Sequence, residues 1–322
     1  MHISIIVIAF NEERRIEACL RALLTQDAVA EYEVIVVDDA SRDSTARIVE
    51  EMIPDFVNLR LVRHEANRGR GAARRTGQDA TDAPWIGFVD ADIIVPTNWL
   101  SRCLEELSDV DGVSGIAQPD GDCAVIWRLC QPMIRQRSGS AEITGNNVLF
   151  SRDALKKFPF SPTARLGEDF RLAKSMVRGG LRLRTVEQLR VEHRETKSYA
   201  QGVKWMWQSG FDATSLLLEF RRVRTPDLAW LTWLAVTLLS AVGAIFRLCG
   251  MWVVLFTSLA TALLIDAMFI YSRFLPRPRT SRFLGALVIS PPMMLSYLVG
   301  RTAGLWNVPT LLRRHPRRKS DD

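Results

Sequence analysis

Three stretches in the last third of the chain limit its architecture most: Leu228 to Phe246, Met251 to Tyr271 and Phe283 to Gly300 carry a single charge between them, Asp266. Each is near the ~20 residues with which a helix spans a hydrocarbon core about 30 Å thick. A buried core helix is the other use of such a sequence. Three in succession leave too little protein to cover them, so lipid is the expected cover. The composition breaks at Thr225 to Asp227; before that point charged residues are interleaved with short apolar runs, as in a soluble domain.

The net charge of +6 is concentrated beside those stretches, in Arg221 to Arg224, Arg273 to Arg282 and Arg313 to Lys319. Anionic lipid headgroups attract such clusters by about 1 kcal/mol per basic residue, which explains the placement better than nucleic acid does. Membrane lipids are the expected partner, and nucleic acid is not. Basic flanks favour the cytosolic face, but three complete crossings would carry Arg313 to Lys319 outside. Pro291-Pro292 is therefore expected to kink the third stretch into a hairpin or re-entrant element, unless the charge rule fails at this end. The five cysteines are scattered without a C-x-x-C pair, which fits a reducing compartment. Ile3 to Phe10 is too short for a secretory signal. The expected layout is a cytosol-facing domain over residues 1–224, a multi-pass membrane region over 225–312 and a basic tail over 313–322. Residues 197–222, aromatic and then basic, read as a helix at the bilayer interface or under the sheet.

Within the first domain a unit repeats. Ile3 to Ile8 is a β-branched apolar run leading to Asn11-Glu12-Glu13 and a helix with Ile16, Cys19, Leu20 and Leu23 on one face. Val34 to Val37 leads through Asp38 to Ser44 into a helix from Thr45, and Leu59 to Val62 through Asn67 to Gly71 into a helix ending near Asp79. Trp85 to Val89 then runs into Asp90-Ala91-Asp92. Near-continuous apolar strands alternating with amphipathic helices predict an α/β fold with a mostly parallel sheet, helices on both faces and ligands at the carboxyl ends of the strands.

Those ends carry acids. Asp90 and Asp92 are either a solvated turn or two hard oxygen ligands able to hold Mg²⁺ or Mn²⁺ against phosphates. Asp38 and Asp39 are more than a helix cap requires, whereas Asp43 and Ser44 need no role beyond capping. Asn67-Arg68-Gly69-Arg70-Gly71 enters a helix and suits an anion, since glycines admit the backbone and a helix N-terminus is positive. Without a third glycine after the first strand it is no dinucleotide fingerprint.

Together these residues resemble the family 2 glycosyltransferases, which have the GT-A fold, over roughly Ile3 to Phe220. The resemblance rests on Ile6 to Glu12, on Val37-Asp38-Asp39 with Asp43-Ser44-Thr45, on Asn67, Gly69 and Ala73-Arg74, and on Asp90-Ala91-Asp92. Thr144-Gly145-Asn146-Asn147 and Gly167-Glu168-Asp169 extend it. Ile8 stands where the family usually has proline, and Arg75 where asparagine is common.

The resemblance implies a nucleotide-diphospho-sugar donor contacting Ala9, Asn11, Glu12, Asp38, Asp39, Gly69, Arg74, Asp90, Ala91 and Asp92. It implies an acceptor beside Gly145, Asn146 and Asn147, a divalent ion on Asp90, Asp92 and His193, and Asp169 as general base supported by Glu168. The expected reaction is inverting transfer from a UDP- or GDP-sugar to a hydroxyl of a membrane-associated, lipid-linked acceptor. Transfer to a polyprenyl phosphate is the alternative, and that acceptor needs no base. A non-catalytic relic has no physical reason to keep Asp39, Asp90, Asp92, Asp169 and His193 together.

Overall fold

The computed structural model describes residues 2–27, 30–120, 143–162, 167–194, 198–220, 223, 225–246, 250–274 and 289–307. The chain divides into two compact units, the first comprising residues 1–121 and 136–195, the second residues 122–135 and 196–322.

In the first unit a seven-stranded sheet has the order β3-β2-β1-β4-β8-β6-β9. Strands β1 (Ile3–Ala9), β2 (Tyr32–Asp38), β3 (Leu59–Arg63) and β4 (Trp85–Asp90) are parallel to their neighbours among themselves. Strand β8 (Asn147–Ser151) runs antiparallel to both β4 and β6 (Gly112–Ser114), and β9 (Leu183–Thr185) lies parallel to β6. All seven residues of β1 are buried, as a strand covered on both faces must be. Alternation then sorts them. Ile3, Ile5 and Val7 pack with Cys19, Leu20 and Leu23 of helix α1 (Ile16–Leu24). Ile6 and Ile8 face the opposite way, toward Ala73 of α3 (Arg70–Asp79) and Leu172 of α6 (Glu168–Arg178). Helices α2 (Thr45–Met52), α4 (Trp99–Glu105) and α5 (Arg152–Lys157) complete the two layers.

A three-stranded sheet, β5-β10-β7, lies at the end of β4. His193 sits within β10 (Val191–Arg194), opposite Ile93 of β5 (Ile93–Ile94). Strand β7 (Ala117–Asp120) pairs parallel to β10 on its other side.

The described part of the second unit is helical. Helices α8 (Thr225–Ile245) and α9 (Met251–Phe274) each contain a segment long and apolar enough to cross a membrane. Their polar groups face each other: the Trp233 indole donates to the Ser258 carbonyl at 3.1 Å, and the Ser240 and Thr257 hydroxyls meet at 2.8 Å. Large apolar side chains such as Leu239, Trp252 and Phe256 are turned outward, each about 70% exposed. Interhelical hydrogen bonds inside and bare apolar surface outside are the pattern of helices solvated by lipid.

Residues 283–288 of the third apolar stretch lie outside the described residues; from Pro291 onward it is part of α10 (Pro291–Gly304), whose 14 residues rise about 21 Å. Pro291 and Pro292 occupy its first turn, where proline's missing N–H costs nothing, directly after a bend at Ser290. Met293, Met294, Tyr297 and Leu298 are buried. Its partner is α7 (Tyr199–Phe220), which groups with the apolar helices in the second unit. Gly210 and Gly300 allow this: a Cβ on either would lie 2.1 Å from a carbonyl oxygen of the facing helix. The basic tail and most of Arg273 to Arg282 lie outside the described residues.

Candidate active site

The acids expected at the strand ends do gather at one edge of the main sheet, on different partners. Ala9 ends β1, its carbonyl accepting from the Asp39 amide at 2.9 Å. Asn11, at φ +58, accepts from the Arg42 amide through its side chain at 2.9 Å, so it braces the second strand's turn. Asp43, not Ser44, caps α2: its Oδ1 accepts from the Thr45 amide at 3.0 Å, and Ser44 makes no cap bond.

Asp38 is fully buried and lies 3.4 Å from the Arg63 guanidinium. Asp39 accepts from the backbone amides of Arg68 at 2.8 Å and Gly69 at 2.7 Å, and from His64 Nδ1 at 2.7 Å. The resemblance put the Gly69 turn and Asp39 on the donor. Here they are tied to each other, and the Asp39 side chain is only 6% exposed. In front of them a cleft of about 660 Å³ is lined by Phe10, Ser41, Arg42, Arg63, His64 and Asn67 among others. Sequence reasoning passed over His64; no motif marks it, and only the β3 end brings it to Asp39.

Arg74, expected on the donor, has a different setting. As a donor ligand it had to be open; instead it is buried at 2% exposure, and its guanidinium pairs with Glu168, with Asp90 Oδ1 at 2.7 Å and with the Gly145 carbonyl at 3.0 Å. Burial raises the Asp90 carboxyl above its ordinary range, against the pull of Arg74 and Arg70. Glu168 is raised for the same reason, again opposed by Arg74. Asp169, next to it in the first turn of α6, accepts from the Gly145 amide at 2.9 Å and from its neighbour Phe170 at 2.7 Å.

The second cluster surrounds Asp92. His193 Nε2 stands 3.1 Å from Asp92 Oδ2, and Arg15 3.8 Å from the same oxygen. Arg15 also pairs with Glu12, whose carboxyl burial pushes up to about 7. Ala91, between the two aspartates, is buried. Asp92 and His193 thus stand side by side. Asp90 is turned to Arg74, and among the described residues no three His, Cys, Asp or Glu stand close enough to hold an ion by themselves.

On the acceptor side, Asn146 accepts from the Thr144 hydroxyl at 2.8 Å. Asn147 is not available to an acceptor: its Oδ1 takes the Trp99 indole at 2.9 Å and its Nδ2 the Leu189 carbonyl at 2.7 Å, inside the core. The free thiols Cys19 and Cys103 are buried and unlinked.

Residues 4–161 match the model of "Glycosyl transferase family 2". Over those residues, just under half of its length, the chain is similar to the family 2 glycosyltransferases. It is 32% identical over 128 residues to glycosyltransferase AglE of Haloferax volcanii, covering 38% of this chain and 42% of that protein. Against dolichyl-phosphate β-glucosyltransferase of Dictyostelium discoideum it is 34% identical over 101 residues, 29% and 31% of the two chains. The chain therefore spans less than half the length of these relatives. Among solved structures, mannosyltransferase PcManGT of Pyrobaculum calidifontis, in complex with GDP-Man and Mn²⁺, superposes with a TM-score of 0.59 at 21% identity over 95% of this chain and 87% of its own. The fold over the matched residues is GT-A-like.

Proposed function

We propose that this chain is an inverting glycosyltransferase that moves a sugar from a UDP- or GDP-linked donor to a hydroxyl of a membrane-associated acceptor. One observation carries the reading: Asp90, from the expected donor side, and Asp169, from the expected acceptor side, are joined through Arg74 and Gly145 in a single partly buried cluster.

The acceptor hydroxyl attacks the anomeric carbon from the face opposite the nucleoside diphosphate. The new C–O bond forms as the bond to the diphosphate breaks, the electron pair leaves with the diphosphate, and the hydroxyl proton passes to the Asp169 carboxylate. A positioned base gives about 10² to 10⁴-fold. Asp169 is held from both sides by amides, so its orientation is set before the acceptor arrives. The cleft beside His64 and Asn67 suits a nucleobase, and Arg42 and Arg63 give it positive charge.

Asp92 and His193 suit Mn²⁺ or Mg²⁺, because such ions are held by one or two side chains with donor phosphates and water filling the remaining positions. When bound, the ion offsets the charge that builds on the departing diphosphate. The Mn²⁺ in PcManGT supports a divalent ion, as its GDP-Man supports a nucleotide-sugar donor. The exposed apolar faces of α8 and α9 support a membrane-bound enzyme whose acceptor the bilayer delivers.

The likeness to a dolichyl-phosphate β-glucosyltransferase favours one second reading, transfer to a polyprenyl phosphate. The test is release of UDP or GDP by the detergent-purified protein with Mn²⁺, a donor panel and lipid acceptors. Turnover dependent on both nucleotide-sugar and lipid is expected; no turnover and no nucleotide binding would overturn the reading.

A further inference from the structure

We infer that Arg74 is a positioning residue that sets the base Asp169 through Gly145 and does not bind the donor; this rests on the reading above. Helix α3 aims a guanidinium into the first unit's interior, where every neighbour within reach is an acceptor: Glu168, Asp90 Oδ1 at 2.7 Å and the Gly145 carbonyl at 3.0 Å. Its Cζ lies 5.7 Å from the centre of the Phe160 ring, which closes the site from the apolar side. At 2% exposure the group has no room for a phosphate. Gly145 is the link. Its carbonyl accepts from Arg74 while its amide donates to Asp169 Oδ2 at 2.9 Å, so the backbone between them transmits position from the guanidinium to the carboxylate.

The fit leaves no slack. A Cβ on Gly145 would meet Arg74 Cζ at 2.9 Å and Asp169 Cβ at 3.1 Å, so any side chain there presses the two residues apart. A planar fork is also needed at position 74. Three acceptors in different directions suit the five donors of a guanidinium, whereas a lysine ammonium keeps the charge without that geometry.

The decisive experiment compares Arg74→Lys, Gly145→Ala and their double with the parent. A positioning role predicts that each single variant lowers kcat at least tenfold while donor affinity, read by calorimetry with UDP or GDP, stays within about threefold. A loss confined to donor affinity with kcat unchanged would make Arg74 a donor ligand and overturn the inference, as would kcat within twofold of the parent in Arg74→Lys. Thermal melting of the same variants is independent of turnover. The alanine is expected to press on the guanidinium, so the double variant should melt no lower than Gly145→Ala alone. Additive losses in melting temperature would show that the two positions are not in contact and sink the bridge. A parent that transfers no sugar fails the functional reading, while the melting arm still decides whether Arg74 and Gly145 act as one unit.

Discussion

The His64 ring is held between Asp39 and Thr76, its Nδ1 2.7 Å from Asp39 Oδ1 and its Nε2 2.9 Å from the Thr76 hydroxyl. Asp39 in turn takes the Arg68 and Gly69 amides, so the imidazole secures the carboxylate that shapes one wall of the cleft. His64→Ala is expected to weaken UDP or GDP binding about tenfold, the scale of one hydrogen bond to a charged group. Calorimetric titration checks this. Unchanged affinity would mean that the two amides hold Asp39 without help.

Glu12 gives a pH signature. Burial pushes its carboxyl from 4.5 up to about 7, with Arg15 opposing and Asp92 adding to the rise. Between those values the folded protein keeps a proton that the unfolded chain has lost. The stabilising contribution is therefore full below about pH 4.5 and is lost as pH rises toward 7. Removing the charge with Glu12→Gln is expected to leave melting near pH 5 almost unchanged and to stabilise the protein at pH 8 by on the order of 2 kcal/mol. Melts in the presence of a chelator at the two pH values decide it, and equal shifts at both would show that Glu12 titrates normally.

Asp169→Asn separates the two acceptor classes. An asparagine keeps the acceptor oxygen facing the Gly145 amide but cannot take a proton. Transfer to a hydroxyl should fall about 10² to 10⁴-fold in kcat, while transfer to a phosphate, already ionised, should change less than tenfold. Steady-state assays with a lipid-linked sugar and a polyprenyl phosphate read this directly.

Much of the first unit was legible because the signals there are local. Strand β1 is a run of β-branched residues, its alternation divides cleanly between two core layers, and each following acid stands at a strand end. Hydrogen-bond partners were not legible. Whether Arg74 faces a ligand or the interior, and whether Asn147 faces an acceptor or Trp99, depends on residues distant in sequence that only the folded chain brings near. The same limit explains the third apolar stretch. Hydropathy sees Met293, Tyr297 and Leu298 as lipid-facing, but the small residues that let α7 approach α10 turn that face into a protein interface. Arg301, just beyond the stretch, then finds a buried partner that no periodicity could reveal.

That partner is Asp227, at the start of α8. The Arg301 guanidinium lies 2.6 Å from its carboxylate, both side chains are fully buried, and Trp230 stacks on the guanidinium with its ring centre 4.7 Å away. The Tyr297 hydroxyl adds a 3.3 Å hydrogen bond. Away from water neither charge tolerates the loss of the other, and breaking such a pair costs about 3 to 5 kcal/mol, although an apolar replacement of both is often neutral. Arg301→Met is therefore expected to lower the melting temperature sharply in detergent, and Asp227→Leu added to it should recover most of the loss. If the double variant is as unstable as the single, the helices are held by packing around Gly210 and Gly300 and not by the ion pair.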